Sequence, residues 1–280
     1  MPSRDSISAI NQAIGAEAGQ TTLTGERRRR IGEILALRGR VTVNELSKLF
    51  GVTSVTIRSD LDTMAAEGLL IRDRGGAIAH TSTTVAVAFE KRAAQNREQK
   101  RLIGRLASTL VNERETIIMD AGSTVMEMAH SLPPDISCTI VTTALNVAAR
   151  VGALQNVNVL IAGGSLSRET ISTVGAIAER DLENLVVDKL FLSTQAFDAE
   201  HGLTDDSFDV ARVKSAMIRS ARHVILLADS SKWGSSAFAK IAPLGEIDVL
   251  ITDAGLSQES QKIIQRFGVE IMQAGFSPGV

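Results

Sequence analysis

Five residues at positions 120–124, with the sequence DAGST, have the types and the spacing of an anion-binding turn. They lie between an apolar, strand-like run and a helical pattern. Gly122 lets the backbone approach a ligand, Ser123 and Thr124 supply hydroxyl groups, and the free N–H groups at the start of a helix attract an anion. Because the turn lacks the lysine of a Walker A loop, it does not indicate nucleoside triphosphate binding.

Other polar residues and glycines follow further strand-like runs in the same half of the chain. Parallel α/β sheets bind ligands outside the carboxyl ends of their strands, so we expect these residues to converge at one rim of a sheet. Taken singly, each of them could equally be only a turn residue or a helix cap. The residues predicted to line a ligand site here are Asp120, Gly122, Ser123, Thr124, Thr142, Thr143, Gly163, Gly164, Lys214, Asp229 and Lys232.

A second set of residues suited to ligand contact lies nearer the N-terminus, in the run SVTIRSDLDTM (54–64). Helical spacing places the apolar residues Ile57, Leu61 and Met64 on one face. The opposite face offers small and hydroxyl side chains and an arginine that can donate two bonds to guanine, and it therefore fits a DNA major groove. That face holds Val55, Ser59 and Asp62, with Thr56 and Arg58 at its flanks, and the predicted DNA contacts are Ser54, Thr56, Arg58 and Ser59.

The elements that must position this face are a helix, a turn, a second helix and a hairpin. Gly51 ends the first helix, and either Thr53 or Ser54 caps the second. Residues 69–71 and 77–79 are predicted strands joined by a basic turn, and Arg72 and Arg74 make this hairpin suited to phosphates or to the minor groove. An ordinary helical hairpin with a solvated polar face explains the periodicity equally well.

A further helix is predicted from Glu26, with Ile31, Ile34, Leu35 and Leu37 as its buried stripe. Four consecutive arginines at positions 27–30 could contact the DNA backbone or form a solvated face, and the sequence leaves both interpretations open. A short strand at 41–43 follows, and Thr42 is suited to cap the helix after it.

The N-terminal region with the sequences VTIRSDL (55–61) and EGLLIRDRGGA (67–77) resembles the DNA-binding segment of DeoR-family transcriptional regulators. In that family a T-I-R-x-D-L recognition helix leads into a G-x-x-x-R-x-x-G-G-A wing. The chain departs from the pattern at Ser59, where most members carry a second arginine. The residues that match are Thr56, Ile57, Arg58, Asp60, Leu61, Gly68, Arg72, Gly75, Gly76 and Ala77.

The second half resembles the effector domain of the same family, which is similar to sugar-phosphate isomerases and binds phosphorylated sugars. The resemblance adds Asp198 to the expected effector-binding residues. Thr143 replaces a usual asparagine, and Val210 replaces a frequent glutamate, both in the expected pocket. The other matching positions are 120–124, Gly163, Gly164, Gly175, Gly202, Leu203, Lys214 and 229–232.

The pattern from Thr116 onward predicts an α/β domain with a mainly parallel sheet, because continuous apolar strands alternate with helices. The expected strands are 116–121, 138–143, 158–164, 188–194, 223–229 and 248–253. The whole chain is thus predicted as a disordered tail (1–25), a winged helix-turn-helix (26–80), a linker and connecting helix (81–111) and an effector-sensing α/β domain (112–280).

Charge and composition agree with this division and exclude several other classes of protein. Residues 26–80 carry a net charge of +3 and residues 81–280 a net charge of −4. The single cysteine, Cys138, excludes a disulfide framework, and the four histidines are scattered, so neither a metal nor another cofactor is expected. Neither a membrane span nor a signal peptide is evident, and we expect a cytoplasmic protein.

The sequence is compatible with two functions from different classes. The favoured one is a repressor of a carbohydrate-utilisation operon that binds operator DNA as a homodimer or homotetramer and responds to a phosphorylated sugar. The alternative is an isomerase with an attached DNA-binding domain, which would need a carboxylate base such as Asp120, Asp198, Asp209 or Asp229. Position 210 is a valine where many family members have a glutamate, and this replacement argues against the isomerase.

Overall fold

The computed structural model describes residues 24–79 and 89–275, which belong to two compact units that divide between Ala88 and Phe89. Residues 1–23 of the predicted tail, the linker at 81–84 and the expected start of the connecting helix lie outside this part of the chain. The first helix begins at Thr24, two residues before the start predicted at Glu26. No helix within the described residues is long and apolar enough to cross a membrane.

The first unit is a winged helix-turn-helix built around one small apolar core. Ile31, Leu35, Ile57 and Leu61 are each at most 1% exposed. Three short strands pair antiparallel in the order β1-β3-β2 beside the helices. The elements are α1 (Thr24–Arg38), β1 (Arg40–Thr42), α2 (Val43–Phe50), α3 (Ser54–Ala66), β2 (Leu70–Asp73) and β3 (Gly76–Ala79).

Local capping fixes the ends of α2 and the start of α3. The Thr42 hydroxyl accepts a bond from the backbone N–H of Glu45, whose carboxylate in turn accepts from the N–H of Thr42, as in a capping box. Gly51 follows α2 with a φ of 63°, a left-handed conformation that glycine adopts without strain. Thr53, rather than Ser54, is the N-cap of α3.

The second unit contains a seven-stranded parallel sheet in the order β15-β14-β12-β9-β4-β5-β6. Its strands are β4 (Thr116–Met119), β5 (Cys138–Thr142), β6 (Val157–Ile161), β9 (Val187–Leu192), β12 (Ala221–Leu227), β14 (Val249–Asp253) and β15 (Glu270–Ala274). Short antiparallel strands lie outside it: β7 (Ser165–Ser167) with β8 (Ser172–Val174), and β10 (Ala196–Asp198), β11 (Gly202–Asp205) and β13 (Ala239–Ala242). The six predicted strands are present, whereas β15 and the antiparallel pairs were not predicted.

Helices cover both faces of the parallel sheet. Successive strand residues point to opposite faces, so that Ile118 packs on the side of α7 and α8, whereas Ile117 and Met119 pack on the side of α4, α5 and α6. The helices are α4 (Arg97–Ser108), α5 (Ser123–Ser131), α6 (Leu145–Val151), α7 (Ala176–Glu183), α8 (Phe208–Ser220) and α9 (Gln258–Gln265).

The predicted connecting helix is a packed element of the second unit. Residues 89–94 are helical, but Asn96 has a left-handed φ of 50° and separates them from α4. Ile103 and Ala107 on α4 are fully buried. A Cβ added at Gly104 would lie 2.5 Å from the backbone nitrogen of Met128 on α5, so these two helices are in close contact.

Candidate functional site

The recognition helix α3 turns its apolar face inward and its polar face outward. Ile57 and Leu61 are completely buried, whereas Arg58 and Ser59 are exposed. Ser54 and Thr56 are half-buried at the start of the helix. The Thr56 hydroxyl lies 2.9 Å from that of Thr53. The predicted DNA-facing side of α3 is therefore exposed to solvent in this unit.

The two wing arginines occupy different environments. Arg72 donates from Nε to the Asp62 carboxylate of α3 at 2.8 Å and from Nη1 to the carbonyl of Gly76 at 2.6 Å. It therefore fastens the hairpin to the recognition helix. Arg74 is exposed at the turn between β2 and β3. DNA contact by Arg72 and Arg74 stays a prediction.

Two of the four consecutive arginines have a structural role that neither interpretation of the sequence included. Arg27 Nε lies 2.6 Å from Asp60 Oδ2, and Arg28 Nε lies 2.9 Å from Asp60 Oδ1. The Asp60 side chain is only 3% exposed, so this carboxylate joins α1 to the inner side of α3. The signal in the sequence was an aspartate on the buried side of the predicted helix, next to Leu61.

In the second unit a polar cleft lies at the carboxyl ends of the neighbouring strands β4, β9 and β12. The DAGST turn after β4 and the residues after β9 form much of its wall. Of the predicted effector-binding residues, Gly122, Ser123, Thr124, Lys214 and Lys232 line it. The other lining residues are Ala121 of the same turn and nine that the sequence did not indicate: Arg92, Glu169, Thr170, Ser193, Thr194, Gln195, Asp205, Asp206 and Ser207.

Gly122 is required where the DAGST turn passes the end of β9. A Cβ at this position would lie 2.2 Å from the Ser193 hydroxyl oxygen. Ser193 in turn donates from its hydroxyl to Asp120 Oδ2 at 2.6 Å and from its backbone N–H to the same oxygen at 3.0 Å. Asp120 is 2% exposed, and its two bonds from Ser193 join the DAGST turn to the end of β9.

A buried ion pair lies beneath the cleft. Lys214 Nζ donates to Asp205 Oδ2 at 2.9 Å and to the Ser193 carbonyl at 3.0 Å, and it lies 3.5 Å from Asp120. Burial disfavours the charged ammonium, but the carboxylates of Asp120 and Asp205 more than offset this, and the pKa of Lys214 is raised. Its positive charge is therefore already balanced within the protein.

Lys232 is a lysine of the cleft whose charged form is disfavoured by its surroundings. It donates to the Thr194 carbonyl. Burial lowers its pKa to about 8; the carboxylate of Asp229 opposes this shift, whereas the charges of Lys214 and Lys100 add to it. Lys232 is protonated at neutral pH, and an anion beside it would relieve this unfavourable environment.

Thr124 carries an unusual hydroxyl group at the first turn of α5. Its Oγ1 atom is buried and has no hydrogen-bond partner among the described residues. Buried polar groups are nearly always paired, so this unpartnered hydroxyl beside the cleft is a candidate for a ligand contact. Gly122, the N-cap of α5, provides no side-chain cap for the helix N–H groups either.

Thr142, Thr143, Gly163 and Gly164 lie outside the cleft because local structure uses them. The Thr142 hydroxyl donates to the Met119 carbonyl at 2.6 Å and so joins two strands. Thr143 accepts a backbone bond from Thr173. Gly163 donates to Asp181, and a Cβ on Gly164 would lie 2.6 Å from the Val174 carbonyl oxygen. Thr143 and Gly164 thus contact β8, Thr142 joins β5 to β4, and Gly163 bonds to α7.

The two remaining predicted carboxylates are also placed elsewhere. Asp198, at the end of β10, accepts from the backbone N–H of Glu200 at 2.9 Å and lies 3.0 Å from His201 Nδ1. Asp229 accepts from Asn96 Nδ2 at 2.9 Å and lines a recess beside the cleft, where Lys232 borders both spaces. The described residues contain no group of His, Cys, Asp or Glu side chains that could hold a metal ion.

The winged helix-turn-helix and the separate polar cleft together define a DNA-binding regulator with a ligand-sensing domain. Residues 27–83 match the DeoR-like helix-turn-helix domain, and residues 95–254 match the DeoR C terminal sensor domain. The chain therefore belongs to the DeoR family of transcriptional regulators. This membership decides between the two functions considered above in favour of the regulator.

Proteins of known sequence and structure extend this comparison. The putative aga operon transcriptional repressor of Escherichia coli O157:H7 is 35% identical over 258 residues, which are 91% of this chain and 96% of that protein. The HTH-type transcriptional regulator GlpR of Haloferax volcanii is 38% identical over 250 residues, 89% of this chain and 98% of that protein. Ribose 5-phosphate isomerase A from Methanocaldococcus jannaschii is 14% identical, with 50% of this chain and 55% of that chain covered and a TM-score of 0.38.

Proposed function

We propose that this protein represses a carbohydrate-utilisation operon in the cytoplasm and leaves its operator when a phosphorylated sugar binds. Family membership and the repressor name of the Escherichia coli relative support the regulatory role. The observation that carries the effector assignment is the DAGST turn, where an uncapped helix start, an unpartnered hydroxyl and a lysine meet in one cleft.

The first unit binds duplex DNA through α3 and the wing. Arg58 and Ser59 are exposed on the outward face of α3, where an arginine can donate two bonds to guanine. Arg74 at the wing tip contacts phosphate. Ser54 and Thr56 lie at the N-terminal end of the helix, which is the end that contacts base edges in helix-turn-helix proteins.

The phosphate of the effector binds at the start of α5. The first N–H groups of a helix have no intrahelical partner and carry a partial positive charge. The Ser123 and Thr124 side chains add hydroxyl groups, and Lys232 adds a full positive charge. Gln195 and Asp206, which are exposed where they border the cleft, are suited to sugar hydroxyls.

Binding is transmitted through the segment that contains Arg92 and Asn96. Arg92 Nη2 donates to the carbonyl of Glu169 at 2.6 Å, and both residues line the cleft. The Asn96 side-chain amide donates a hydrogen bond to the Asp229 carboxylate, and the buried Lys100 ammonium donates to the Arg92 carbonyl. A phosphate beside Arg92 competes with Glu169 for the guanidinium, so the ligand favours a different arrangement of this segment.

The protein acts as a homodimer or homotetramer, because paired half-sites give specificity that one head lacks. The contacts between copies are proposed to lie beyond residue 81. A fragment of residues 1–80 should therefore bind the operator much more weakly than the full chain in a fluorescence-anisotropy titration. Equal affinities of fragment and full chain would contradict this placement.

Ser123→Asp tests the position of the phosphate. An added carboxylate would occupy the turn and repel the ligand, whereas an acidic residue in the first turn does not destabilise a helix. A panel of pentose and hexose phosphates is first screened for the compound that raises the melting temperature of the wild type. The Ser123→Asp protein should bind operator normally and fail to release it with that compound.

Ser123→Ala is the matched control, since it removes one hydroxyl group without adding charge. It should weaken the response to the effector by less than Ser123→Asp does. If Ser123→Asp releases DNA at the effector concentration that suffices for the wild type, the phosphate binds elsewhere.

A further inference from the structure

Val55 projects a large apolar side chain from the DNA-facing side of α3. Its side chain is 69% exposed, more than Leu69 at 50% or Ile71 at 41%, the other large exposed hydrophobics of the first unit's described residues. It is the second residue of α3 and lies one helical turn before Ser59, beside Arg58. The side chain therefore occupies the N-terminal part of the surface that faces the groove.

The polar neighbours of Val55 are partly engaged within the protein. The hydroxyls of Thr53 and Thr56 lie 2.9 Å apart, and Thr53 also caps the helix. Asp62, two turns further along the same face, is paired with Arg72 at 2.8 Å. Arg58, Ser59 and Val55 are thus the exposed side chains left to distinguish one base pair from another at this end of α3.

Resting on the DNA-binding function proposed above, we propose that Val55 contacts the C5-methyl group of a thymine and so selects T·A at one position of each half-site. In the major groove the thymine methyl is the apolar group that a base edge offers, and aliphatic side chains recognise it. Residues 26–80 carry ten basic and seven acidic residues. This excess of positive charge around the exposed valine favours DNA rather than an apolar protein surface as its partner.

A thymine-to-deoxyuridine scan tests this proposal, because the replacement removes one methyl group and leaves every hydrogen-bonding group unchanged. The probe is a duplex enriched from a random DNA library by the full-length protein. At one thymine in each half-site the replacement should weaken wild-type binding by about fourfold, which is the effect of withdrawing one buried methyl from contact. The other thymines should tolerate it.

Val55→Ala identifies the side chain that detects the methyl group. The variant folds, since the site is exposed and alanine favours helices. It should bind the thymine duplex more weakly than the wild type and become indifferent to deoxyuridine at the critical position. Arg58→Ala, the control, should bind weakly but keep the wild-type response to deoxyuridine there.

Three results would overturn the assignment. In the first, the wild type tolerates deoxyuridine at every position. In the second, Val55→Ala responds to deoxyuridine as the wild type does. In the third, Val55→Ala lowers the oligomeric mass in analytical ultracentrifugation, which places Val55 in a contact between protein chains. Failure to enrich any duplex would instead refute the DNA-binding function on which the inference rests.

Discussion

Replacing Asp60 with alanine tests whether a buried carboxylate holds the recognition helix in place. Asp60 on α3 bonds to Arg27 and Arg28 on α1, with N···O distances of 2.6 and 2.9 Å. The side chains of Asp60 and Arg27 are only 3% and 8% exposed. The substitution therefore removes the carboxylate that is bonded to the nearly buried guanidinium of Arg27.

The expected loss of stability follows from this burial. Removing one partner of a buried ion pair costs roughly 3–5 kcal/mol, because the other charge stays desolvated. Asp62→Ala is a matched control on the same helix. The Asp62–Arg72 pair is 63% and 32% exposed, and such exposed pairs contribute only about 0–1 kcal/mol.

Hydrogen–deuterium exchange of the peptide that covers residues 54–66 measures this difference in the full-length protein. The single tryptophan, Trp233, lies in the second unit, so its fluorescence does not report on α3. Exchange through opening of the first unit should accelerate in Asp60→Ala by roughly two to three and a half orders of magnitude, since each 1.4 kcal/mol is a factor of about ten. It should change little in Asp62→Ala.

Equal exchange rates in the two variants would refute this reasoning. They would mean that the bonds from Arg27 and Arg28 add no more to the stability of the first unit than an exposed pair does. DNA affinity should be measured on the same samples. It should fall in Asp60→Ala, because α3 is no longer held in position, and it should not fall in Asp62→Ala.

Three further predictions concern the two proposed sites. Arg58→Ala should weaken operator binding by roughly 1–3 kcal/mol, mainly at one base pair, and an unchanged binding curve would contradict the contact. Gly122→Ala should displace Ser193, whose hydroxyl lies 2.2 Å from the added Cβ, and should abolish the effector-induced rise in melting temperature; a wild-type rise would exclude a phosphate at this turn. Because the pKa of Lys232 is lowered to about 8, raising the pH from 7 to 9 should remove its charge and weaken effector binding up to about tenfold in calorimetry. Lys232→Arg, which stays charged, should not show this pH dependence.

Local sequence patterns were sufficient to predict the elements whose structure depends on residues close together in the chain. The 3.6-residue repeat placed Ile57, Leu61 and Met64 in the core, and all three are at most 3% exposed. The cap at Thr42 and the turn at Gly51 were also predictable, because each depends on bonds within one helical turn. Continuous apolar runs likewise predicted the parallel sheet.

Contacts between residues far apart in the chain could not be read from these patterns. Asp60 meets Arg27 across 33 positions, and nothing in the local sequence of either residue selects the other. The two interpretations of the arginine run, DNA contact and solvated face, therefore both missed the bonds of Arg27 and Arg28.

The order of the strands in the sheet decides which residues line the cleft. Polar residues or glycines follow several of the strands, but β9 lies directly beside β4, whereas β6 lies at the sheet edge beyond β5. This order brings Ser193 to the DAGST turn and leaves Gly163 and Gly164 with β7 and β8. The sequence by itself determined that a turn with a glycine and two hydroxyl residues follows a buried strand. Only the tertiary structure decided which side chains surround that turn, because strand order depends on packing between distant segments and not on the residues within any one strand.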